Sequence, residues 1–414
     1  MAMQRREFLG FGALAAGGAL LGTRVALAHA EPGAARFVLV IMRGALDGLA
    51  AVPPLGDRDS PELRREFALH ASGESGAALP LDGFFGLHPA LNFLQQCYAA
   101  RELIVLHALA SPYRERSHFD GQDVLENGSP RPHALQTGWL NRALAAMTRP
   151  ATRPAAREAG VALAQTVPLV MRGPAAVTSW SSSKLTVLDD DTLARITDLY
   201  AADPLLATRL ADALTANAMA AGAGGEAGAM TPRSAPAPGT RGNARYAEVA
   251  RAAAGFLRRE DGPRVAVFDT NGWDTHANEG GAQGQLASRL GELDAGLATL
   301  HQELGTAWKD SAVLLVTEFG RTAAINGTRG TDHGTATVAF LLGGAVAGGR
   351  VIADWPGLSS RALYQGRDLA ATLDLRSVLK GLLSEHLAVP ARALEQEVFP
   401  DSAAAKPLRG LLRS

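Results

Sequence analysis

Cysteine is almost absent. Cys97 stands alone in 414 residues, so no disulfide can form within the chain and the fold has to rest on its hydrophobic core. Its neighbours in "ALNFLQQCYAA" are apolar at helical spacing, which makes Cys97 a small buried hydrophobe rather than a reactive thiol. Charge of one sign is lacking too: 40 basic residues face 41 acidic ones, and such a balance offers no field for nucleic acid or an anionic membrane. Long apolar runs are also missing. The one candidate, Phe8 to Gly22, is diluted by Gly10, Gly12, Gly17, Gly18 and Gly22 and falls short of the ~20 residues that span a bilayer. No stable membrane span is expected in the mature chain.

What is present is enough apolar material, 47% of residues against 20% charged, to bury a large core in one big domain or two ordinary ones. The first thirty residues read as an address instead. Arg5-Arg6 precede Phe8-Leu9 and a weakly hydrophobic stretch, then Arg24 and the small-residue sequence Ala26-Leu27-Ala28-His29-Ala30. Paired arginines in that setting resemble a twin-arginine signal, cleaved after Ala28 or Ala30, which implies handling by the twin-arginine export machinery and a periplasmic or extracellular destination.

Beyond it, short apolar runs alternate with long helical patterns, which predicts an α/β sandwich with a largely parallel central sheet. The strand candidates are "RFVLVIM" (36–42), "LIVLHAL" (103–109), "RVAVFDT" (264–270), "AVLLVTEF" (312–319) and "VAFLLGG" (338–344). Each is continuously apolar, as strands covered on both faces are. Helices are expected at about 89–100, 134–147, 191–219, 243–259, 283–305 and 375–386. The stretch 221–243 is too poor in large apolar groups to pack and reads as a surface loop inside a single domain over 31–414.

Ligands of an open parallel sheet gather where strands end, because loops and helix N-termini converge there. The polar residues of interest sit at those ends. "RGALDGLA" brings Arg43 and Asp47, and "SPYRERSHFDGQD" brings Arg116, Ser117, His118, Asp120 and Asp123. "NGWDTHANEGG" brings Asp274 and His276, "TEFGRT" brings Glu318 and Arg321, and "GTDHGT" brings Asp332 and His333. Simpler roles compete. Asp47 before Gly48 suits a turn or a helix cap, Ser117 and Asp120 suit capping, and Glu318 suits an ion pair with Arg321.

Carboxylates and imidazoles without thiolates fit a hard or borderline divalent cation: Zn²⁺, Mn²⁺, Mg²⁺ or Ca²⁺. Asp47, Asp274, His276, Glu318, Asp332 and His333 are the candidate ligands. Arginines alongside fit an oxyanion, so Arg43, Arg116 and Arg321 are candidates for the nonbridging oxygens of a phosphate or sulfate ester. Ser117, where a helix begins, is the candidate hydroxyl nucleophile.

"LVIMRGALDGLA", "SHFDGQDVLENG", "GWDTHANEGG", "LLVTEFGRT" and "GTDHGTATVAFLLGG" resemble, in order, the motif series of the bacterial exported domain-of-unknown-function family 1501. That family is in turn similar to the alkaline phosphatase and sulfatase superfamily, which implies an alkaline-phosphatase-like three-layer fold and ester hydrolysis at a metal site. The resemblance places Asp47 as the acidic ligand after the first strand and Ser117 as the nucleophile, with His118 or Ser111 fitting after a small shift. It places Asp274, His276 and His333 as later ligands. Where the superfamily has Asp-His this chain has Glu318-Phe319, so one imidazole is missing and a second metal is in doubt. No cysteine stands near Ser117, which excludes a formylglycine nucleophile. The expectation is an exported metal-dependent hydrolase acting on a small anionic ester. The alternative is a noncatalytic relative that binds a cell-envelope partner or an anionic glycan.

Overall fold

The computed structural model describes residues 35–71, 76–147, 159–181 and 240–413, with scattered positions between 196 and 214. The export signal and the whole of 221–239 lie outside the described residues, as does most of the helix expected at 191–219. Thr240 to Asn243, assigned above to the loop, open a helix that runs Thr240–Arg258.

Among the described residues eleven strands follow one another: β1 Arg36–Arg43, β2 Leu79–Pro80, β3 Gly86–Leu87, β4 Leu103–Ala110, β5 Gly160–Ala162, β6 Val177–Ser179, β7 Val265–Asn271, β8 Ser311–Val316, β9 Thr337–Leu342, β10 Arg350–Ile352 and β11 Leu373–Asp374. All but the β2–β3 hairpin join one nine-stranded sheet ordered β10-β4-β9-β8-β1-β7-β5-β6, with β11 added to β4. Every pairing in it is parallel except those of β9, which runs against β4 and β8. That reversal decides the site. Residues before a parallel strand lie at the sheet's amino edge, whereas residues before a reversed strand lie at the carboxyl edge. His333 therefore reaches the same rim as the loops leaving β1, β4, β7 and β8.

Both faces of the sheet are covered, which explains why the strands read as unbroken apolar runs. Val38, Val40 and Met42 of β1 pack under the helices Asn92–Ala99 (α1), Thr240–Arg258 (α2) and Gln285–Leu304 (α3). Phe37, Leu39 and Ile41 alternate to the other face, under His118–Asn127 (α4), Trp139–Ala146 (α5) and Leu375–His386 (α6). The result is a three-layer α/β sandwich. Cys97 lies within α1, 4% exposed, and burial first, then the nearby Glu102 and Asp294, push its thiol up to about 12.

Several boundaries differ from the sequence pattern. β8 ends at Val316, so Thr317 to Phe319 leave the ladder before the expected end. Helix α5 starts at Trp139 because Gly138 donates its N–H to the Arg172 carbonyl (2.8 Å), and a Cβ at Gly138 would lie 2.1 Å from the Leu169 carbonyl oxygen. Among the described residues no helix is long and apolar enough to cross a membrane.

Candidate metal centre at the carboxyl edge

Three imidazoles and one carboxylate meet at this rim. His118 is the first residue of α4, whose start follows the loop after β4. Asp274 and His276 follow β7, and His333 precedes β9. His333 Nε2 lies 3.0 Å from His118 Nε2, 3.0 Å from His276 Nε2 and 3.3 Å from Asp274 Oδ1. Asp274 also approaches His276 Nε2 at 3.0 Å and His118 Nε2 at 3.4 Å. Donors bonded tetrahedrally to zinc at ~2.0 Å stand about 3.3 Å apart. His118, Asp274 and His333 each bring one ligand atom within 4.8 Å of the others, a group that could hold a metal ion, and His276 adjoins it through His333 and Asp274.

The opposite side of each ring shows why these nitrogens are available. His333 Nδ1 lies 2.9 Å from the Arg116 carbonyl, which can only accept, so Nδ1 carries the hydrogen and Nε2 is bare. His118 Nδ1 faces Glu318 Oε1 at 2.8 Å, and His276 Nδ1 faces Asp332 Oδ1 at 3.4 Å. Each imidazole turns a lone pair inward. Bare nitrogens at 3.0 Å repel one another unless a proton or a cation lies between them, so the cluster is built to hold positive charge.

The surrounding electrostatics agree. The hydrogen bond to Glu318 raises the pKa of His118 above its ordinary value. Burial lowers that of His333, with the neighbouring His118 adding to it. Burial opposes ionisation of Asp274, but the Arg321 hydrogen bond and charge outweigh it and hold the carboxyl below its usual range. Around the centre, side-chain exposure runs from 24% at His118 to 46% at His276, so a solute can reach it.

The structure distributes the sequence candidates unevenly. Asp274, His276 and His333 come together, and Asp332 stands behind His276. Glu318 does not join the shell. It is fully buried, with Oε1 accepting from His118, Gln122 (3.1 Å) and the Gly44 N–H (2.9 Å), and Oε2 accepting from Thr317 (3.0 Å). Burial opposes its ionisation, but these donors hold its carboxyl below the usual range. Asp47 faces elsewhere: it caps the short helix Gly48–Ala51 and pairs with buried Arg64 at 2.5 Å. Burial and then the charge of Asp47 drive Glu279, beside the same guanidinium, toward its protonated form.

The three candidate arginines are occupied. Arg43 is held by Asp269 (2.7 Å), Glu126 (2.8 Å) and Gln122 (3.0 Å). Arg116 is held by Asp368 (2.8 Å) and Gln365 (2.7 Å). Arg321, buried, binds Asp274 at 2.5 Å and both Thr331 oxygens. Ser117 sits at the N-cap of α4 without a side-chain cap bond. Asp120 and Asp123 face His133 instead. Phe319, where the superfamily pattern has histidine, is buried and packs against the rings of His118 (5.0 Å) and His333 (5.3 Å).

His118 is the member of this group that sequence reasoning did not place among the candidate ligands. The signal was there, since the helix start that nominated Ser117 nominates its neighbour equally.

The chain belongs to the family described as protein of unknown function (DUF1501), whose profile matches residues 106–398. No curated protein matches it. Solved structures to which it is similar include the PsFucS1 sulfatase from Pseudoalteromonas sp., at 11% identity and a TM-score of 0.38, covering 100% of this chain and 78% of that one. Another is the phosphonate monoester hydrolase of Agrobacterium radiobacter, at 10% identity and 0.33, covering 77% and 70%. The lipoteichoic acid synthase LtaP from Listeria monocytogenes follows at 9% and 0.34, covering 79% and 68%.

Proposed function

We propose that this chain is an exported, metal-dependent hydrolase of phosphate or sulfate esters, working in the periplasm or outside the cell as a single domain over 31–414. The observation that supports the reading is the approach of His118, His276 and His333 Nε2 to the Asp274 carboxylate. Two imidazoles and a carboxylate, with His276 beside them, fit zinc best among the divalent ions considered. The ion would supply Lewis acidity toward an ester oxygen.

The chain's own groups have distinct parts in this scheme. Ser117, one residue before a ligand and at a helix start, provides the attacking hydroxyl. Glu318 and the Arg116 carbonyl fix two imidazole tautomers, and Arg321 aims Asp274. With Arg43, Arg116 and Arg321 tied to carboxylates, the nonbridging oxygens of the ester fall to Arg367. Its ties are looser: it donates to the His333 carbonyl at 2.9 Å and stands 3.7 Å from Asp368, while its side chain stays 41% exposed.

The occupied arginines also favour the second reading, a noncatalytic relative that holds a metal and binds an anionic glycan or envelope partner. One experiment separates them. Purified protein is analysed for bound metal, then assayed on p-nitrophenyl phosphate and p-nitrophenyl sulfate beside Ser117→Ala and His118→Ala. The hydrolase reading expects bound zinc, turnover of one ester, and loss of turnover in both variants. Metal without turnover of either ester leaves the binder, and absence of metal ends both.

A further inference from the structure

Arg116 combines three features that its surroundings have to enforce together. Its backbone is left-handed, with φ +64°, a region sparsely populated by residues that carry a Cβ. Its carbonyl is the acceptor for His333 Nδ1 (2.9 Å). Its guanidinium places Nε and Nη2 on one oxygen of Asp368, at 2.8 and 2.7 Å. Asp368 is fully buried, and a carboxylate so placed needs a cation at hydrogen-bond distance. Arg116 is the cation at that distance, with Arg367 farther off at 3.7 Å from the other carboxylate oxygen.

The turn that carries Asp368 is itself rigid. Tyr364 and Asp368 exchange backbone hydrogen bonds (2.8 and 3.0 Å), Asp368 also bridges to Thr322, and Thr335 donates its hydroxyl to the Leu369 carbonyl (3.1 Å). The same turn grips the other end of His333, because Arg367 Nη2 donates to its carbonyl (2.9 Å). One turn thus holds the histidine's backbone directly and its ring through Arg116. A strained conformation persists only where neighbours over-determine it, and here the neighbours are this turn and the His333 ring.

We propose that the Arg116–Asp368 ion pair is a positioning device for the metal centre. By pinning the Arg116 peptide it sets the tautomer and aim of His333, and thereby the affinity of the site for a divalent cation. The inference rests on the metal reading above and assigns Arg116 away from the substrate. Neither residue touches the ion. Both act through the ring of His333.

The test uses Asp368→Asn, which keeps the shape and removes the charge, and Arg116→Lys, which keeps the charge and removes the fork. The first readout is heteronuclear NMR of the imidazole nitrogens in metal-free protein. His333 in the wild type is a single Nδ1–H tautomer, and both variants show a mixture. The second is competition for Zn²⁺ against a chromophoric chelator, where each variant binds roughly 10–100-fold more weakly. Unchanged nitrogen shifts together with wild-type zinc affinity overturn the proposal. If Asp368→Asn does not fold, the Lys variant, at a side chain 19% exposed, decides alone. Wild-type protein that binds no Zn²⁺ sinks the hydrolase reading. The tautomer measurement, made without metal, then still tests whether the pair governs His333.

Discussion

Glu318 Oε1 accepts a hydrogen bond from His118 Nδ1 at 2.8 Å, deep enough that the glutamate has no exposure at all. A carboxylate at that place does more through the histidine than it would on an ion. It fixes the ring's tautomer, raises the basicity of the inward nitrogen and leaves Nε2 as the donor.

Glu318→Gln is expected to weaken zinc binding about 10-fold and Glu318→Ala about 100-fold, with one metal site retained in each. Chelator competition measures this. Complete loss of stoichiometric metal in Glu318→Gln, at unchanged melting, would show that the carboxylate is a ligand itself.

Asp47→Asn separates two roles by where the damage falls. Asp47 is fully buried against Arg64, and although burial opposes its ionisation, Arg64 holds its carboxyl below the usual range. Breaking such a pair is expected to cost about 3–5 kcal/mol of stability, seen as an earlier denaturant midpoint. Metal content stays the same. A variant that unfolds normally yet loses its metal would return Asp47 to the ligand shell.

The fold carries a pH dependence of its own at His107. The ring is fully buried in β4, Nδ1 accepts from the Ala108 N–H (2.8 Å) and Nε2 donates to the Val52 carbonyl (3.0 Å). No place remains for a second proton, and burial pulls the imidazole down to about 4. The unfolded chain binds this proton near the ordinary value of 6.5, so stability is fully present above that pH and declines as pH falls toward 4. The loss is roughly 3 kcal/mol across the window. Denaturant melts in excess chelator, which removes metal effects, should show the slope, and His107→Gln should flatten it. An equal slope in that variant would place the titration elsewhere.

Gly330 touches the backbone that carries His276. A Cβ there would lie 2.3 Å from the His276 carbonyl carbon and 2.5 Å from the Thr275 oxygen. Gly330→Ala should therefore cost about 1–3 kcal/mol of stability by overpacking and weaken zinc binding, because one imidazole is displaced. Wild-type zinc affinity in the folded variant would mean that His276 is not a ligand.

How much of this was readable from the chain follows from what each residue's neighbours in sequence reveal. β1 and β4 announced themselves because sheet strands covered on both faces must be apolar throughout. Gly160–Ala162, Val177–Ser179 and Arg350–Ile352 did not, since a run of three residues is too short to carry a period. Asp274, His276 and His333 were visible as polar groups between glycines at strand ends. Asp47 and Glu318 were visible as acids, but the direction of their oxygens depends on Arg64 and on His118, which lie 17 and 200 positions away. His118 was hidden by the ready explanation of its neighbour as a cap.

The reversed course of β9 has a further mechanical meaning. Glu318, Phe319, Arg321, Asp332 and His333 all ride on the one excursion of chain between β8 and β9, stapled across its width by the Gly320–Thr335 and Thr322–Asp332 hydrogen bonds. Half of the basin is therefore carried by one cross-linked loop rooted in two central strands. Asp274 with His276 and His118 arrive on separate segments, after β7 and after β4. Shortening or lengthening that excursion would retune every group on it at once, so the basin's shape is governed there more than at any single side chain.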